Sequence, residues 1–283
     1  MRSILVVLIL VTLTPSQALP GKESLIYLFI GQSNCDGQGQ PALPDDEISH
    51  PRVWTLDRDQ QIRQAVEPVG FGHEYPGVGP ALAFGKLVAE HRPANQIILV
   101  PAAASGVSLE RWLKGAEPIP VPFSHQKVRL YDHAIQRALL ARSLTNGTIA
   151  GIIWHQGEGD SFSPERASAY GPRLRSLLTN LRQDLGNPCL PIVAGELPRF
   201  LNPQNFPLRD LVVEQTKSLA NPAISSLYLP GVSFAESFGA AANQREAPNY
   251  VHFNAAGQHL MAERYFNSLF PKKAAAENWN RYE

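Results

Sequence analysis

A serine just beyond an apolar run is the first feature of this chain that suggests chemistry. Ser33 lies in a Gly-Gln-Ser-Asn block at 31–34, directly after the apolar run 25–30. A buried strand that ends at a glycine and is followed by a serine is typical of a nucleophile at the carboxyl end of a sheet. Such a serine needs a base to take its proton and donors to stabilise an oxyanion. On local sequence alone, a serine that caps the following turn explains the pattern at least as well.

A histidine near the other end of the chain is the candidate base. His252 ends an Asn-Tyr-Val-His block at 249–252, just before the last predicted helix. A lone histidine is more often a structural residue than a catalyst. Polar blocks also follow three other predicted strands, and the ligand crevice of an open parallel sheet lies outside the carboxyl ends of its strands. This shared placement favours a catalytic role for His252.

Two further blocks offer hydrogen-bond donors and a carboxylate. The small residues at 101–106 let the backbone approach a ligand, and the Gly106 N–H is a candidate oxyanion donor. Taken by itself, this block is explained equally well as an ordinary turn. The block Trp-His-Gln-Gly-Glu-Gly-Asp at 154–160 places polar groups after a buried strand, where they cost desolvation unless they are used. Gln156 can donate to an oxyanion, and Glu158 can accept from an imidazole and fix its tautomer.

Strand-like and helix-like segments alternate along the chain, and the fold that they form determines where these blocks lie. Strands without polar alternation predict a parallel sheet covered on both faces, and the alternation predicts a three-layer α/β/α sandwich. No linker divides the chain, so we expect one domain over 19–283. Strands are predicted at 25–30, 53–56, 96–100, 149–154, 191–194 and 226–229, and helices at 79–90, 126–143, 164–185, 208–219 and 255–269.

Composition narrows the class of partner. The 283 residues include 25 basic and 25 acidic side chains, for a formal net charge of zero. Nucleic acids and membrane surfaces usually select for a basic face, so neither is expected as a partner. No Cys/His cluster has the spacing of zinc ligands, and no metal site is predicted. Cys35 and Cys189 are the only cysteines, and the sequence leaves their pairing open.

The amino terminus resembles a targeting signal. Arg2 precedes an apolar stretch at 4–13, and Ser-Gln-Ala at 16–18 offers the small residues that signal peptidase prefers. The sequence therefore predicts a signal peptide over 1–18 and a secreted or periplasmic protein. The apolar stretch is short for a bilayer span, and an uncleaved anchor is the alternative.

Together, the four blocks resemble those of the SGNH hydrolases. More narrowly, they resemble the branch of sialate O-acetylesterases and acetylxylan esterases, carbohydrate esterase family six. The likeness rests on the blocks at 31–34 and 155–158 and on Gly106 and His252, and it runs from about 26 to 270. It implies a flavodoxin-like sheet, no cofactor, and hydrolysis of acetyl esters on a carbohydrate. In that scheme Ser33 attacks, His252 takes the proton, and Ser33 N–H, Gly106 N–H and the Gln156 side chain bind the oxyanion.

The chain departs from that branch three residues before the base. The branch has Asp-x-x-His, whereas this chain has Asn249. An asparagine cannot stabilise an imidazolium as a carboxylate does, and such a change in a serine protease costs roughly four orders of magnitude. Two substitutes remain, namely an oxygen of Asn249 itself or the carboxylate of Glu158. We favour Glu158 as the group that orients His252.

The expected substrate is an acetylated carbohydrate. Arg111 and Trp112 follow the Gly106 loop and suit stacking on a sugar. The other candidate substrate contacts are Gln32, Asn34, His73 and His155. Two alternatives remain: an inactive relative that binds acetylated glycan, suggested by the asparagine before the base, and a lipase-like enzyme for longer acyl chains, which needs an extended apolar groove.

Overall fold

The computed structural model describes residues 23–223 and 226–271. The predicted signal peptide lies outside these residues. Within them, no helix has the length and hydropathy that a bilayer-spanning segment needs.

Nine strands and six α-helices make up the described chain. The strands are β1 Ser24–Gly31, β2 Val53–Leu56, β3 Ile62–Gln64, β4 Gln96–Pro101, β5 Ile119–Val121, β6 Ser124–Val128, β7 Thr148–His155, β8 Ile192–Gly195 and β9 Val232–Ala235. The helices are α1 Ser33–Asp36, α2 Ala81–His91, α3 Leu130–Thr145, α4 Pro164–Asp184, α5 Arg209–Ser218 and α6 Ala255–Leu269.

Seven of the strands form one sheet in the order β3-β2-β4-β1-β7-β8-β9. All neighbours are parallel except β3, which pairs antiparallel with β2. Numbered along the chain, β1, β4, β7, β8 and β9 lie in the order 2-1-3-4-5, which is the flavodoxin-like arrangement. The strand order reverses between β1 and β7, so the ligand crevice is expected at the carboxyl ends of these two strands. The predicted fold class is confirmed.

Strand β1 shows how the sequence specifies three layers. Ile26, Leu28 and Ile30 are buried in the cluster that includes α3, α4 and α5, whereas Tyr27 and Phe29 are buried in the cluster with α2 and α6. Successive side chains of a strand point to opposite faces, so an uninterrupted apolar run fills both. Each such side chain contributes about 2 kcal/mol on burial, and the resulting rigidity holds the end of β1 in place.

Two predicted elements are misplaced. The last strand is Val232–Ala235 rather than 226–229, because a Pro-Gly pair at 230–231 turns the chain first and Gly231 has a φ of +74°. The helix predicted at 126–143 begins only at Leu130, because its first residues belong to β6, which forms a hairpin with β5. Both cysteines are free, one buried and one exposed, so they do not form a disulfide.

Candidate active site

The end of β1 is a tight turn that presents Ser33. Gly31 has a φ of +139°, and a Cβ there would lie 2.0 Å from the carbonyl oxygen of His155. Only glycine fits this approach of β1 to β7. The N–H of Gln32 then donates to the same carbonyl at 2.9 Å, and α1 begins at Ser33. The serine thus stands at the switch point of the sheet.

Ser33 and His252 meet at this edge although 219 positions separate them. The Ser33 Oγ lies 2.8 Å from Nε2 of His252. The loop of His252 is fixed by Asn34, whose Nδ2 donates to the Val251 carbonyl at 3.1 Å and whose Oδ1 accepts from Phe253 N–H at 3.1 Å. A serine that touches an imidazole in this way can transfer its proton to the free ring nitrogen.

The carboxylate that orients His252 belongs to Glu246. One oxygen of Glu246 pairs with Nδ1 of His252 in a short contact, and the other accepts the N–H groups of Val251 at 2.8 Å and His252 at 2.9 Å. Both oxygens of the carboxylate are therefore engaged by the loop that carries the base. A carboxylate on Nδ1 holds the proton there and leaves Nε2 free to act as a base.

Sequence reasoning missed Glu246, and it is wrong about the two residues it offered. Asn249 is exposed, and within the described residues its Oδ1 accepts only from the side chain of Asn205 at 3.4 Å. Glu158 accepts from Asn34 at 2.7 Å, not from the imidazole. Since Ser33 and Glu246 occupy both nitrogens of His252, neither predicted residue orients the ring. The available signal was that Glu246 is the sole acidic residue between Glu236 and Glu263.

Glu158 nevertheless supports the site through Asn34. It is buried, and desolvation raises its pKa to about 7 against the opposing effect of the Asn34 hydrogen bond. The Asn34 Nδ2 group that donates to the Val251 carbonyl also donates to Oε1 of Glu158. Oε2 of Glu158 is buried without a partner among the described residues. Glu158 thus anchors the residue that connects the two halves of the site.

Gln156 does not face an oxyanion. Its Nε2 lies 2.6 Å from Oδ2 of Asp160, 3.0 Å from the Val107 carbonyl and 3.1 Å from Oε1 of Gln32. An amide nitrogen carries two hydrogens, so three acceptors of the protein leave none for a ligand. The predicted oxyanion role of Gln156 is therefore wrong. The residue instead links Gln32, Val107 and Asp160 by hydrogen bonds.

The backbone donors remain free. Neither Ser33 N–H nor Gly106 N–H donates a hydrogen bond within the described parts of the chain. Gly106 has a φ of +69° and open space within 4 Å of the position a Cβ would take. Both residues line one cleft, where unpaired N–H groups can stabilise a developing negative charge.

That cleft has a volume of about 510 Å³ and opens over Ser33 and His252. His73 lines it, as do the aromatic side chains of Phe162 and Phe206. Phe162 is 53% exposed, so its ring is available to a ligand.

Four predicted substrate contacts lie outside the cleft lining. Asn34 is buried and both atoms of its amide are bonded within the protein, so its predicted substrate role is wrong. Trp112 is completely buried and packs edge-on against Trp154 with ring centroids 5.7 Å apart, so the prediction that it stacks on a sugar is wrong. His155 is also buried, bonds the Tyr265 hydroxyl at 2.6 Å, and stays neutral because burial lowers its pKa to about 4. Arg111 is exposed outside the cleft lining. The sequence could not tell which side of the 3₁₀ turn 109–112 faces the interior.

Metal ligands do not converge in the part of the chain that the structure describes: no group of three or more His, Cys, Asp or Glu side chains there could hold an ion.

Comparison with known proteins assigns this chain to a family. The sequence family described as carbohydrate esterase, sialic acid-specific acetylesterase matches residues 23–270. The chain belongs to this family. The protein is accordingly a carboxylic ester hydrolase of the carbohydrate acetylesterase class. A probable carbohydrate esterase of Arabidopsis thaliana is 28% identical to this esterase over 205 residues, which are 64% of this chain and 74% of the relative.

Solved structures share the fold of this esterase. An Arabidopsis thaliana protein superposes with a TM-score of 0.72 at 24% identity, covering 88% of this chain and 98% of its own. NanS superposes with a TM-score of 0.67 at 17% identity, covering 88% and 97%. A carbohydrate acetylesterase from Xanthomonas citri superposes with a TM-score of 0.57 at 16% identity, covering 89% and 57%.

Proposed function

We propose that this esterase is a secreted serine enzyme that removes O-acetyl groups from a carbohydrate through an acetyl-enzyme. The observation that carries the proposal is the contact of 2.8 Å between Ser33 Oγ and Nε2 of His252, with Glu246 on the opposite ring nitrogen. Secretion rests on the sequence pattern of residues 1–18 alone.

The first half-reaction transfers the acetyl group to Ser33. The Ser33 oxygen forms a bond to the acetyl carbon while its proton passes to Nε2 of His252, and the carbonyl electron pair moves onto the oxygen. The resulting oxyanion is stabilised by the N–H groups of Ser33 and Gly106. When the pair returns, the bond to the sugar oxygen breaks, and that oxygen takes the proton from His252. The products of this step are acetyl-Ser33 and the free sugar hydroxyl.

The second half-reaction releases acetate. Water enters the cleft, gives its proton to His252 and attacks the acetyl carbon, and collapse of the second tetrahedral intermediate returns the proton to Ser33. Glu246 keeps the imidazole in the tautomer that both half-reactions need and stabilises the imidazolium between them.

The cleft lining supports a sugar as the alcohol part of the substrate. The exposed ring of Phe162 and the neighbouring Phe206 offer apolar faces, and the polar side chains of His73 and Glu74 share the same cleft. A pyranose presents C–H faces and hydroxyl edges, so a mixed aromatic and polar lining suits it. Phe162 and Phe206 thus take the stacking role that the sequence had assigned to Trp112.

The two alternatives now lose support. The hypothesis of an inactive glycan-binding relative assumed that His252 lacks a carboxylate partner, but Glu246 is such a partner. A lipase-like enzyme needs a long apolar groove, whereas this cleft contains Glu74 and Glu158 next to the nucleophile.

Acetate release from an acetylated oligosaccharide, measured for the wild type and for Ser33→Ala, tests the proposal. The wild type should release acetate and the variant should lose activity by roughly 10⁴-fold or more. Esters of acetate should be cleaved much faster than esters of butyrate. Activity of Ser33→Ala comparable to the wild type, or equal rates for both acyl lengths, would contradict the assignment.

A further inference from the structure

The side chain of Gln32 is held in an unusual way beside the nucleophile. The residue is only 3% exposed, yet it lines the cleft directly before Ser33. Its Oε1 accepts two hydrogen bonds, from Nε2 of Gln156 at 3.1 Å and from the N–H of Gly159 at 3.3 Å. An amide oxygen with two donors is fixed in both position and orientation.

The identity of the two amide atoms follows from their partners. The Gly159 backbone nitrogen can only donate, so the Gln32 atom that faces it must be the oxygen. The Gln156 atom must be a nitrogen, because the Val107 carbonyl and the Asp160 carboxylate that surround it accept. Turning the Gln32 amide over would set its NH₂ group against two donors.

The nitrogen of Gln32 is consequently aimed away from Gln156 and Gly159. It makes no hydrogen bond to any described residue, and it is absent from the set of buried polar atoms that lack a partner. A donor that is neither bonded within the protein nor sealed from the cleft is available to a ligand. Its neighbours in the lining are Ser33 and Gly106, whose N–H groups are also unpaired.

We propose that Nε2 of Gln32 is the third donor to the oxyanion, beside the N–H groups of Ser33 and Gly106. This assignment rests on the serine mechanism proposed above. Gln156 is then a positioning residue, since it holds the oxygen of Gln32 and turns the other end of that amide towards the reacting carbonyl. Asp160 and Val107 in turn fix Gln156, so the donor is oriented before the substrate arrives. Such preorganisation is the source of oxyanion stabilisation in enzymes.

The substitution Gln32→Glu tests the donor with little change in shape. It keeps an oxygen for Gly159 and Gln156 but replaces the free N–H with an oxygen that repels the oxyanion. Loss of one oxyanion donor typically lowers kcat by about 10²–10³-fold, and we expect a loss of at least that size with KM for an acetyl ester changed by less than about threefold. Gln32→Met, which is neutral and of similar length, should show a loss of the same order. If Gln32→Glu does not fold, the kcat of Gln32→Met tests the donor role in its place.

Affinity for a tetrahedral analogue separates a catalytic role from a structural one. Methylboronic acid adds to a serine nucleophile and places an oxygen where the oxyanion forms. Its inhibition constant should rise in Gln32→Met by a factor similar to the fall in kcat. The melting temperature should fall by only a few degrees, since the thioether also leaves Gly159 N–H and Gln156 without their acceptor. Gln64→Glu, on the exposed strand β3, controls for the added charge and should match the wild type.

Two outcomes overturn different claims. Variants of Gln32 with kcat and boronate affinity within about threefold of the wild type would refute the donor role alone, provided that Ser33→Ala is inactive. An active Ser33→Ala enzyme would instead refute the serine mechanism on which this assignment rests.

Discussion

Replacing Glu246 with glutamine should prevent His252 from acting as a base while leaving the loop 246–252 folded. Oε2 of Glu246 accepts two backbone N–H groups, from Val251 and His252, so the amide oxygen of the variant must take that position. The NH₂ group then faces Nδ1 of His252. That nitrogen is forced to accept, the ring proton moves to Nε2, and Nε2 can no longer take the proton of Ser33.

The size of the effect follows from the tautomer. An equivalent change in a serine protease lowers kcat about 10⁴-fold, and since each tenfold loss equals about 1.4 kcal/mol, the barrier should rise by about 4–5.5 kcal/mol here. Hydrolysis of p-nitrophenyl acetate by the wild type and the variant measures this loss. The retained backbone hydrogen bonds predict a melting temperature near that of the wild type.

Asn249→Ala is the matched control, because Asn249 occupies the position of the family's aspartate but is exposed. It should retain nearly full activity. Glu158→Gln should be affected less than Glu246→Gln, since an amide oxygen can still accept from Asn34. If Glu246→Gln kept more than a tenth of the wild-type rate while Glu158→Gln lost more, our assignment of the orienting carboxylate would be refuted.

Three further predictions concern binding, pH and folding. Phe162→Ala should raise KM for an acetylated oligosaccharide by about tenfold, yet leave the hydrolysis of p-nitrophenyl acetate unchanged; equal effects on both substrates would exclude a sugar-stacking role. The buried carboxyl of Glu67 has its pKa raised to about 8 by desolvation, so its contribution to stability is present at low pH and lost as pH rises through that value. Melting temperatures measured from about pH 6 to about pH 9 should therefore fall less steeply in Glu67→Gln, and identical slopes would contradict the shift. Gly31→Ala should cost about 3 kcal/mol or more in urea unfolding because its Cβ meets the His155 carbonyl, whereas Gly115→Ala, at a φ of +82° with open space around it, should cost only about 1 kcal/mol; similar costs for both would refute the steric argument.

The sequence could predict the fold and the position of Ser33 for one physical reason. Uninterrupted apolar runs define buried parallel strands, and the carboxyl ends of parallel strands share one edge. Ser33 and the block at 155–158 directly follow such strands, so their neighbourhood is set by elements that local patterns reveal. β9 was misplaced because two apolar segments compete there and only pairing with β8 selects the second.

The orienting and donating groups depend on contacts that no local pattern contains. Glu246 reaches His252 because the turn at 247–250 folds back. The sequence instead offered Asn249, at the family's spacing, and favoured Glu158. Gln156 and Gln32 are both glutamines beside the nucleophile. Which of them has a free N–H is decided by Asp160, Val107 and the N–H of Gly159.

Labelling with diethyl p-nitrophenyl phosphate tests the central claim most directly, because the adduct of an activated serine is stable and can be located by mass spectrometry of peptides. Activity should vanish in step with the attachment of one diethylphosphoryl group to Ser33, and labelling should be absent in Ser33→Ala and far slower in Glu246→Gln. Labelling of a different residue as activity is lost, or wild-type labelling rates in Glu246→Gln, would contradict the account.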